Sequence, residues 1–393
     1  MSDTLIVGLA RTPIGRFQGA LAGVAATHLG ATALAACLGR TALPATRVKE
    51  VVLGNVLGAG LGQAPARQAA LAAGLPASVA AQSIDKVCGS GLQALISGAR
   101  ALALAEADFV LAGGQESMSQ APFLLKDARG GLPTGDRPLL DSLLLDGLYD
   151  ASLGCHMGVL AERCARDYGL TRDQQDDFAA ASFQRAQQAA RTGCFAAELV
   201  PVATPARRGV AGLVTEDEGP ARFAAERLAS LPPAFEPDGS ITAANASQLS
   251  DGAAALLLGH PAAVTAASLR PLARLVSWGS HAGDPAQFSV APVAAIREAL
   301  ASAGWRSDSV DLWEINEAFA VVPLVAMREL SLTHAKVNVW GGAIALGHPL
   351  GASGARIVVT LVAALQRLDL RRGVAAICIG GGEALALCVE RCD

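Results

Sequence analysis

Four residues, far apart in the chain, have types and settings that could do chemistry: Cys88, Asn316, His348 and Cys378. Cys88 stands between the apolar run "SIDKV" and a segment in which Leu92, Leu95, Ile96, Ala99, Leu102 and Ala103 recur at helical spacing. A thiol at that junction faces the free N–H groups of a helix start, whose dipole favours thiolate over thiol. The following Gly-Ser-Gly lets a substrate approach the backbone. A small buried cysteine is the structural alternative. Cys378 closes another apolar run, "VAAICIGGGEA", just before three glycines, and a core thiol is again the alternative. His348 lies in "GGAIALGHPLGASGA" (341–355), where a glycine-bounded loop could present it as base or oxyanion donor rather than as a structural histidine. The amide of Asn316, in "NEAFA", could hold a water or donate to an oxyanion, or simply serve a turn or helix cap.

Two thiols, an imidazole and an amide at strand ends suggest acyl-thioester chemistry. One thiolate takes the acyl group and the second thiol moves a proton. A cysteine protease needs only one cysteine, so the second one discriminates. Phosphate loops are absent: no Gly-Lys-Ser/Thr occurs, no G-x-G-x-x-G follows a strand, and "GAGLG" (58–62) misses that spacing.

Positioning these groups takes strands and helices in alternation. Residues 1–118 read as strand, helix, strand, with "VVLGNVLGAG" (51–60) and "DFVLAGGQES" (108–117) as apolar runs that turn through glycine. That order implies a parallel sheet with right-handed crossovers. Residues 119–250 are richer in Pro, Gly and charge and read as a long, ordered insertion carrying a binding surface. One helix is expected there over roughly 171–192, opened by Thr171 with Asp173 and Gln174 in its first turn. From about 270 the first pattern returns, with "SVDLWEIN" (309–316) a strand, "SGARIVVTLVAALQRL" (353–368) a helix and "GVAAICIGGG" (373–382) a buried strand. Aligning the halves pairs Asn55 with Asn316 (offset 261), Ser90-Gly91 with Ser353-Gly354 (263) and Gly113-Gly114 with Gly380-Gly381 (267). Glycine after strands is common in any α/β protein. Three ordered matches nonetheless favour a duplication whose strand ends share one site.

Composition narrows the class. At 393 residues the chain has room for two to three domains of ~150 residues. Its 52% hydrophobic content excludes disorder, and a net charge of −4 with no basic tract beyond Arg207-Arg208 and Arg371-Arg372 argues against nucleic acid or an anionic membrane. No uninterrupted ~20-residue apolar span is present. The N-terminal segment "MSDTLIVGLARTPIGRF" lacks the order of a signal peptide, so a cytoplasmic location is expected. The eight cysteines form no C-x-x-C and show no ligand spacing with the six histidines, so neither a disulfide scaffold nor a metal site is expected.

The strings "VCGSGLQAL", "GGQESMS", "ANASQLSDGAAA", "NEAFA", "GGAIALGHPLGASGAR" and "CIGGGEA" resemble the thiolase signatures, in order and across essentially the whole chain. The resemblance implies a five-layered αβαβα core of two similar halves with an inserted loop domain: 1–118 with 251–269 returning to it, 119–250 binding coenzyme A, and 270–393 as the second half. It implies that Cys88 is the acylated nucleophile, activated by His348. Cys378 would be the acid/base that removes the C2 proton of a second acetyl-CoA. Asn316, through a water, and His348 would form one oxyanion hole; the N–H groups of Cys88 and Gly380 would form the other. The pantetheine arm would lie along Leu148, His156, Met157, Phe235, Ala243, Ser247 and Phe319, with Arg222 near the nucleotide end; Arg227 departs from the Ser often found at its place in the family and, as an arginine, is a candidate phosphate partner.

"CHMG" (155–158), "GHPLGASG" and "SWGSHAG" (277–283) look most like the cytosolic acetoacetyl-CoA-forming branch, with Met157 narrowing the acyl pocket. The expected reaction is condensation of two acetyl-CoA to acetoacetyl-CoA and CoA, reversible as thiolysis. A broader 3-ketoacyl-CoA thiolase of fatty-acid breakdown is the alternative, and a non-catalytic acyl-CoA-binding relative is the alternative from another class. Coenzyme A is then substrate and product, no cofactor is expected, and the family implies a homotetramer or dimer. Cys155, Gln248, Ser250 and Glu383-Ala384 depart from the usual pattern. A carboxylate at 383, were it to face the site, would raise the pKa of Cys378; an outward orientation is the simpler expectation.

Overall fold

A computed structural model describes residues 4–207 and 210–393; Met1 to Asp3, and Arg208 of the Arg207-Arg208 pair, lie outside it. Nine principal strands are β1 (Thr4–Arg11), β2 (Glu50–Gly54), β3 (Ala80–Ile84), β4 (Phe109–Ser117), β5 (Ser250–Gly259), β6 (Ala273–Ala282), β7 (Leu312–Ile315), β8 (Arg372–Ile379) and β9 (Glu383–Arg391). The helices that matter for the site are α1 (Ala26–Gly39), α2 (Pro65–Ala72), α3 (Ser90–Ala103), α4 (Met157–Asp167), α5 (Arg172–Arg191), α6 (Ala291–Ala303), α7 (Val321–Leu330) and α8 (Leu350–Arg367). The strands join in the order β7-β8-β9-β6-β1-β5-β4-β2-β3, and Gly15–Arg16 adds a short tenth strand beside β5.

Cut between β6 and β1, this order is a mirror of itself: 1-5-4-2-3 outward on one side and 6-9-8-7 on the other. Among the described residues the outermost position, filled by β3 in the first half, is held in the second by an isolated bridge from Trp313 to Val337. The parallel pairs β2–β4 and β7–β8 are equivalent, with Gly54 opposite Gly114 and Ile315 opposite Ala376. The duplication therefore stands, and Asn55 and Asn316 each follow an equivalent strand. One match changes. The register gives 376 − 114 = 262, so Gly113-Gly114 correspond to Ala375-Ala376 and not to Gly380-Gly381. Glycines recur at both strand ends, and an alignment by residue type slid by five positions. In the corrected register Glu116 is the counterpart of Cys378.

Three clusters of buried side chains build the layers. One lies between the half-sheets and consists largely of α3 and α8 with the inward faces of the strands. Another packs α1 and α2 on the outer face of the first half, and a third packs α6 and α7 on the outer face of the second. The stacking α, β, α, β, α follows. Helix α8 is buried through residues 350–365, which its largely apolar sequence permits because the polar Ser353, Arg356 and Thr360 find partners in His348, Glu314 and Glu198. The two central helices touch backbone to backbone at equivalent glycines. A Cβ on Gly91 would lie 2.8 Å from Ala355 N, and one on Gly354 would lie 2.3 Å from Leu92 N.

The expected helix in the insertion forms as α5. Thr171 Oγ1 accepts from Gln174 N–H at 3.2 Å, and Gln174 Oε1 accepts from Thr171 N–H at 2.9 Å. No helix among the described residues is long and apolar enough to cross a membrane.

Candidate active site

Cys88 sits on a tight turn between β3 and α3. Val87 before it has φ of 46°, a left-handed conformation that a β-branched residue adopts only under constraint. The constraint is visible. Ser90 Oγ donates to Val87 O at 2.6 Å and accepts from Lys86 N–H at 2.8 Å, while Asp85 Oδ1 accepts from Val87 N–H at 2.9 Å. The Cys88 sulfur is thereby held against the N–H of Gly380 and its own N–H. Burial nevertheless pushes the thiol up to about 11, outweighing those donors, with Glu116 and Asp85 adding to the rise. The helix start alone led to the expectation of a thiolate. The structure corrects it: the resting group is a thiol, because loss of water outweighs the local N–H groups.

Cys378 lies in the penultimate position of β8, buried, its thiol raised by burial first and by Cys88 next. Past the strand, Gly381 and Gly382 take φ of 86° and 81°, a turn that side chains resist and that presents Gly380 to Cys88. A Cβ on Gly380 would meet only Met157 Sδ at 3.6 Å and Val87 Cγ1 at 3.8 Å at its closest side-chain contacts. Glu383 points away from the thiols and pairs with Lys86, at side-chain exposures of 34% and 26%.

His348 is buried, and burial pushes its pKa down to about 3, with Arg356 contributing second. The ring is neutral at rest. Its Nδ1 lies 2.6 Å from Ser353 Oγ, and that hydroxyl donates its proton to Pro349 O at 2.9 Å. With its proton on Pro349 O the hydroxyl accepts from the imidazole, an assignment that puts the ring proton on Nδ1 and a lone pair on Nε2. Asn316 Nδ2 lies 3.5 Å from that Nε2, and Asn316 Oδ1 has no protein partner among the described residues. The loop after β7 is held by Glu317, which accepts from Ser182 Oγ at 2.7 Å, Asn338 Nδ2 at 2.7 Å and Ile344 N–H at 3.1 Å.

A cavity of about 680 Å³ opens beside His348. Leu148, His156, Arg222, Arg227, Phe235, Ala243, Ser247 and Phe319 all line it, drawn from segments up to 170 residues apart. Ala246 bridges to Phe319, and Ser247 N–H donates to Ala318 O at 2.9 Å, which seats one wall on the loop that carries Asn316. His156 stacks on Phe235 at 4.7 Å, and Phe235 meets Phe319 edge-on at 5.8 Å. Cys88, Cys378, Asn316 and Met157 are not in the cavity wall; His348 is the residue common to both groups. Met157 instead faces Gly380 from behind.

Gln248, one of the departures from the family pattern, lines the cavity beside Ser247, and Arg16, which sequence reasoning missed, lines it too, joined by Arg16 Nε to Gln248 Oε1 at 3.2 Å. Ser353 was marked only as a repeat partner of Ser90, a spacing that did point to it. Among the described residues no group of three or more His, Cys, Asp or Glu side chains is placed to hold a metal ion.

A mirrored, five-layer core with paired thiols at its centre defines an acyl-transferring class of enzyme, and sequence comparison agrees. The profile of the thiolase N-terminal domain matches residues 4–261, and that of the thiolase C-terminal domain matches residues 269–391. The chain belongs to the thiolase family. It is 50% identical over 392 residues to an acetyl-CoA acetyltransferase of Pseudomonas aeruginosa, covering 100% of both chains. It is 49% identical over 394 residues to an acetyl-CoA acetyltransferase of Saccharomyces cerevisiae, covering 99% of both. A thiolase of Ascaris suum, solved with coenzyme A, superposes with a TM-score of 0.93 at 44% identity, over 99% of this chain and 100% of that one. The acetyl-CoA acetyltransferase of Bacillus anthracis gives 0.97 at 39% identity, over 100% and 99%.

Proposed function

We propose that this enzyme condenses two molecules of acetyl-CoA to acetoacetyl-CoA and CoA, and catalyses the reverse thiolysis. The observations that carry the reading are two thiols close enough for one to raise the other and a cavity of about 680 Å³ that His348 lines together with Arg222 and Arg227. Such a cavity suits a long thioester with phosphates at its far end.

In this reading His348 Nε2 takes the Cys88 proton as the sulfur attacks the acetyl carbonyl, and Cys378 gives its proton to the departing CoA sulfur. The Cys378 thiolate then removes a C2 proton from the second acetyl-CoA. The enolate is met by His348 and by a water on Asn316, and its carbon attacks the acyl-Cys88 carbonyl. The N–H groups of Cys88 and Gly380 receive the tetrahedral oxyanion, and Cys88 leaves with the proton held by His348. Protons balance over the cycle. The burial that raises both thiols supplies the dry, pre-aimed setting that enolate formation requires.

CoA is substrate and product here and no cofactor takes part. Residues 119–250 supply the CoA-binding part of the two-half core. Phe123, Leu132 and Leu139 in this segment are 63%, 59% and 63% exposed, a surface suited to another copy of the chain, and a homotetramer or dimer working in the cytoplasm is the assembly we favour.

Thiolysis rates on acetoacetyl-CoA and on a long-chain 3-ketoacyl-CoA, measured side by side with free CoA, test the proposal. A strong preference for acetoacetyl-CoA is expected, with Met157 closing the acyl end. Comparable long-chain turnover would move the enzyme to fatty-acid breakdown, and CoA binding without any turnover would leave a binding protein.

A further inference from the structure

Glu116, in the string "GGQESMS", is fully buried at the end of β4 and takes no part in the steps above. Its two oxygens accept four hydrogen bonds. Three come from the loop after β2: Asn55 Nδ2 at 3.0 Å, Val56 N–H at 3.0 Å and Leu57 N–H at 3.2 Å. The fourth comes from the other half of the molecule, Gly351 N–H at 2.9 Å. Gly351 lies in the first turn of α8, three residues beyond His348.

That turn lacks a cap of its own. Pro349 occupies the cap position and offers no side-chain oxygen to the free N–H groups. The carboxyl group of Glu116 does so from a different strand; burial raises its pKa to about 7, against the pull of the Val56, Gly351 and Leu57 N–H groups. Its orientation is fixed in turn, since Asn55 Oδ1 accepts from Gln115 Nε2 at 3.1 Å. Close packing leaves little slack: a Cβ on Gly351 would stand 2.9 Å from Glu116 Oε2 and 2.8 Å from Asn55 Cα. The start of α8, and His348 just before it, are therefore registered against the first half through one carboxylate.

We infer that Glu116 is a positioning residue for the proposed reaction, clamping the His348 loop of the second half onto the strand ends of the first. This rests on the function proposed above. The placement is also where the duplication leads, because Glu116 is the counterpart of Cys378: both occupy the strand end that faces the shared centre.

The test is Glu116→Gln in the full-length enzyme, which keeps the shape but turns an N–H₂ toward the donors. Thiolysis of acetoacetyl-CoA is expected to lose roughly 100-fold in kcat with KM changed less than about two-fold, since Glu116 itself does not line the cavity. In a His348→Ala background the same substitution should cost less than about two-fold more, because the effect runs through the imidazole. Losses that multiply in the double variant, or a KM that rises as kcat falls, overturn the inference. Should Glu116→Gln fail to fold, Glu116→Asp, which keeps the charge and shortens the reach by one methylene, is read in the same way. A wild-type enzyme active on acetoacetyl-CoA beside a Glu116→Gln enzyme of equal kcat would defeat the positioning role alone. A wild-type enzyme without turnover would defeat the functional reading and this inference with it.

Discussion

Replacing Ser353 with alanine tests whether the imidazole works in the tautomer that the geometry dictates. In that assignment the Ser353 hydroxyl gives its one proton to Pro349 O at 2.9 Å and accepts from His348 Nδ1 at 2.6 Å. Without that acceptor the neutral ring loses a net hydrogen bond of about 1 kcal/mol that biases it toward Nδ1–H, a shift of roughly five-fold in the tautomer ratio. The larger effect falls on the imidazolium formed once Cys88 is deprotonated. A hydrogen bond to a charged group contributes about 1.5–3 kcal/mol, so the step should slow by roughly 10- to 100-fold. Ser353→Ala is therefore expected to lower kcat for thiolysis by that factor while KM for acetoacetyl-CoA stays nearly constant. Ring ¹⁵N shifts of His348 in the wild type should report a protonated Nδ1 at neutral pH. An Nε2-protonated wild-type ring, or a Ser353→Ala enzyme within about two-fold of normal kcat, would refute the reasoning.

Two further outcomes follow from burial and close contact. Because burial pushes the Cys88 thiol up to about 11, its alkylation by iodoacetamide in substrate-free enzyme should climb about tenfold per pH unit from pH 8 to pH 10; a plateau below pH 9 would mean a preformed thiolate. Gly114→Ala would drive a Cβ to 2.0 Å from Gly351 O and 2.8 Å from Ala352 Cα, backbone atoms with nowhere to go. It should destabilise the fold by about 3 kcal/mol in urea unfolding, whereas Gly58→Ala, which meets nothing within 4 Å, should be near neutral.

What the chain disclosed in advance, and what it withheld, divides along physical lines. The strings around Cys88, Asn316, His348 and Cys378 are local, and each places its residue at a strand end or helix start that the structure contains. Helical periodicity sufficed for α3, and Thr171 with Gln174 sufficed for the start of α5. Burial was not legible. A helix start beside Cys88 spoke for a thiolate, but the surrounding protein, which leaves the residue only partly exposed, withdraws enough solvation to reverse the sign of the shift. The set of residues that line the cavity came from the family resemblance alone, because no local pattern ties Leu148 to Arg222 or Phe319.

The register error is the most instructive of these differences. Matching glycines paired Gly113-Gly114 with Gly380-Gly381, whereas the strand pairing makes Glu116 and Cys378 the equivalent residues. A duplicated frame offers two strand ends pointing at one centre, and each must be filled by a group that the closed interior can tolerate. A carboxylate is tolerated there only with donors on every side, and Glu116 has four. A thiol needs none, because burial merely keeps it protonated, which is the form that the proposed mechanism requires of it. The two halves have thus divided one position between holding and reacting. Exchanging the two side chains should abolish both roles at once, since a free carboxylate at 378 would lack donors and a thiol at 116 could not hold Gly351.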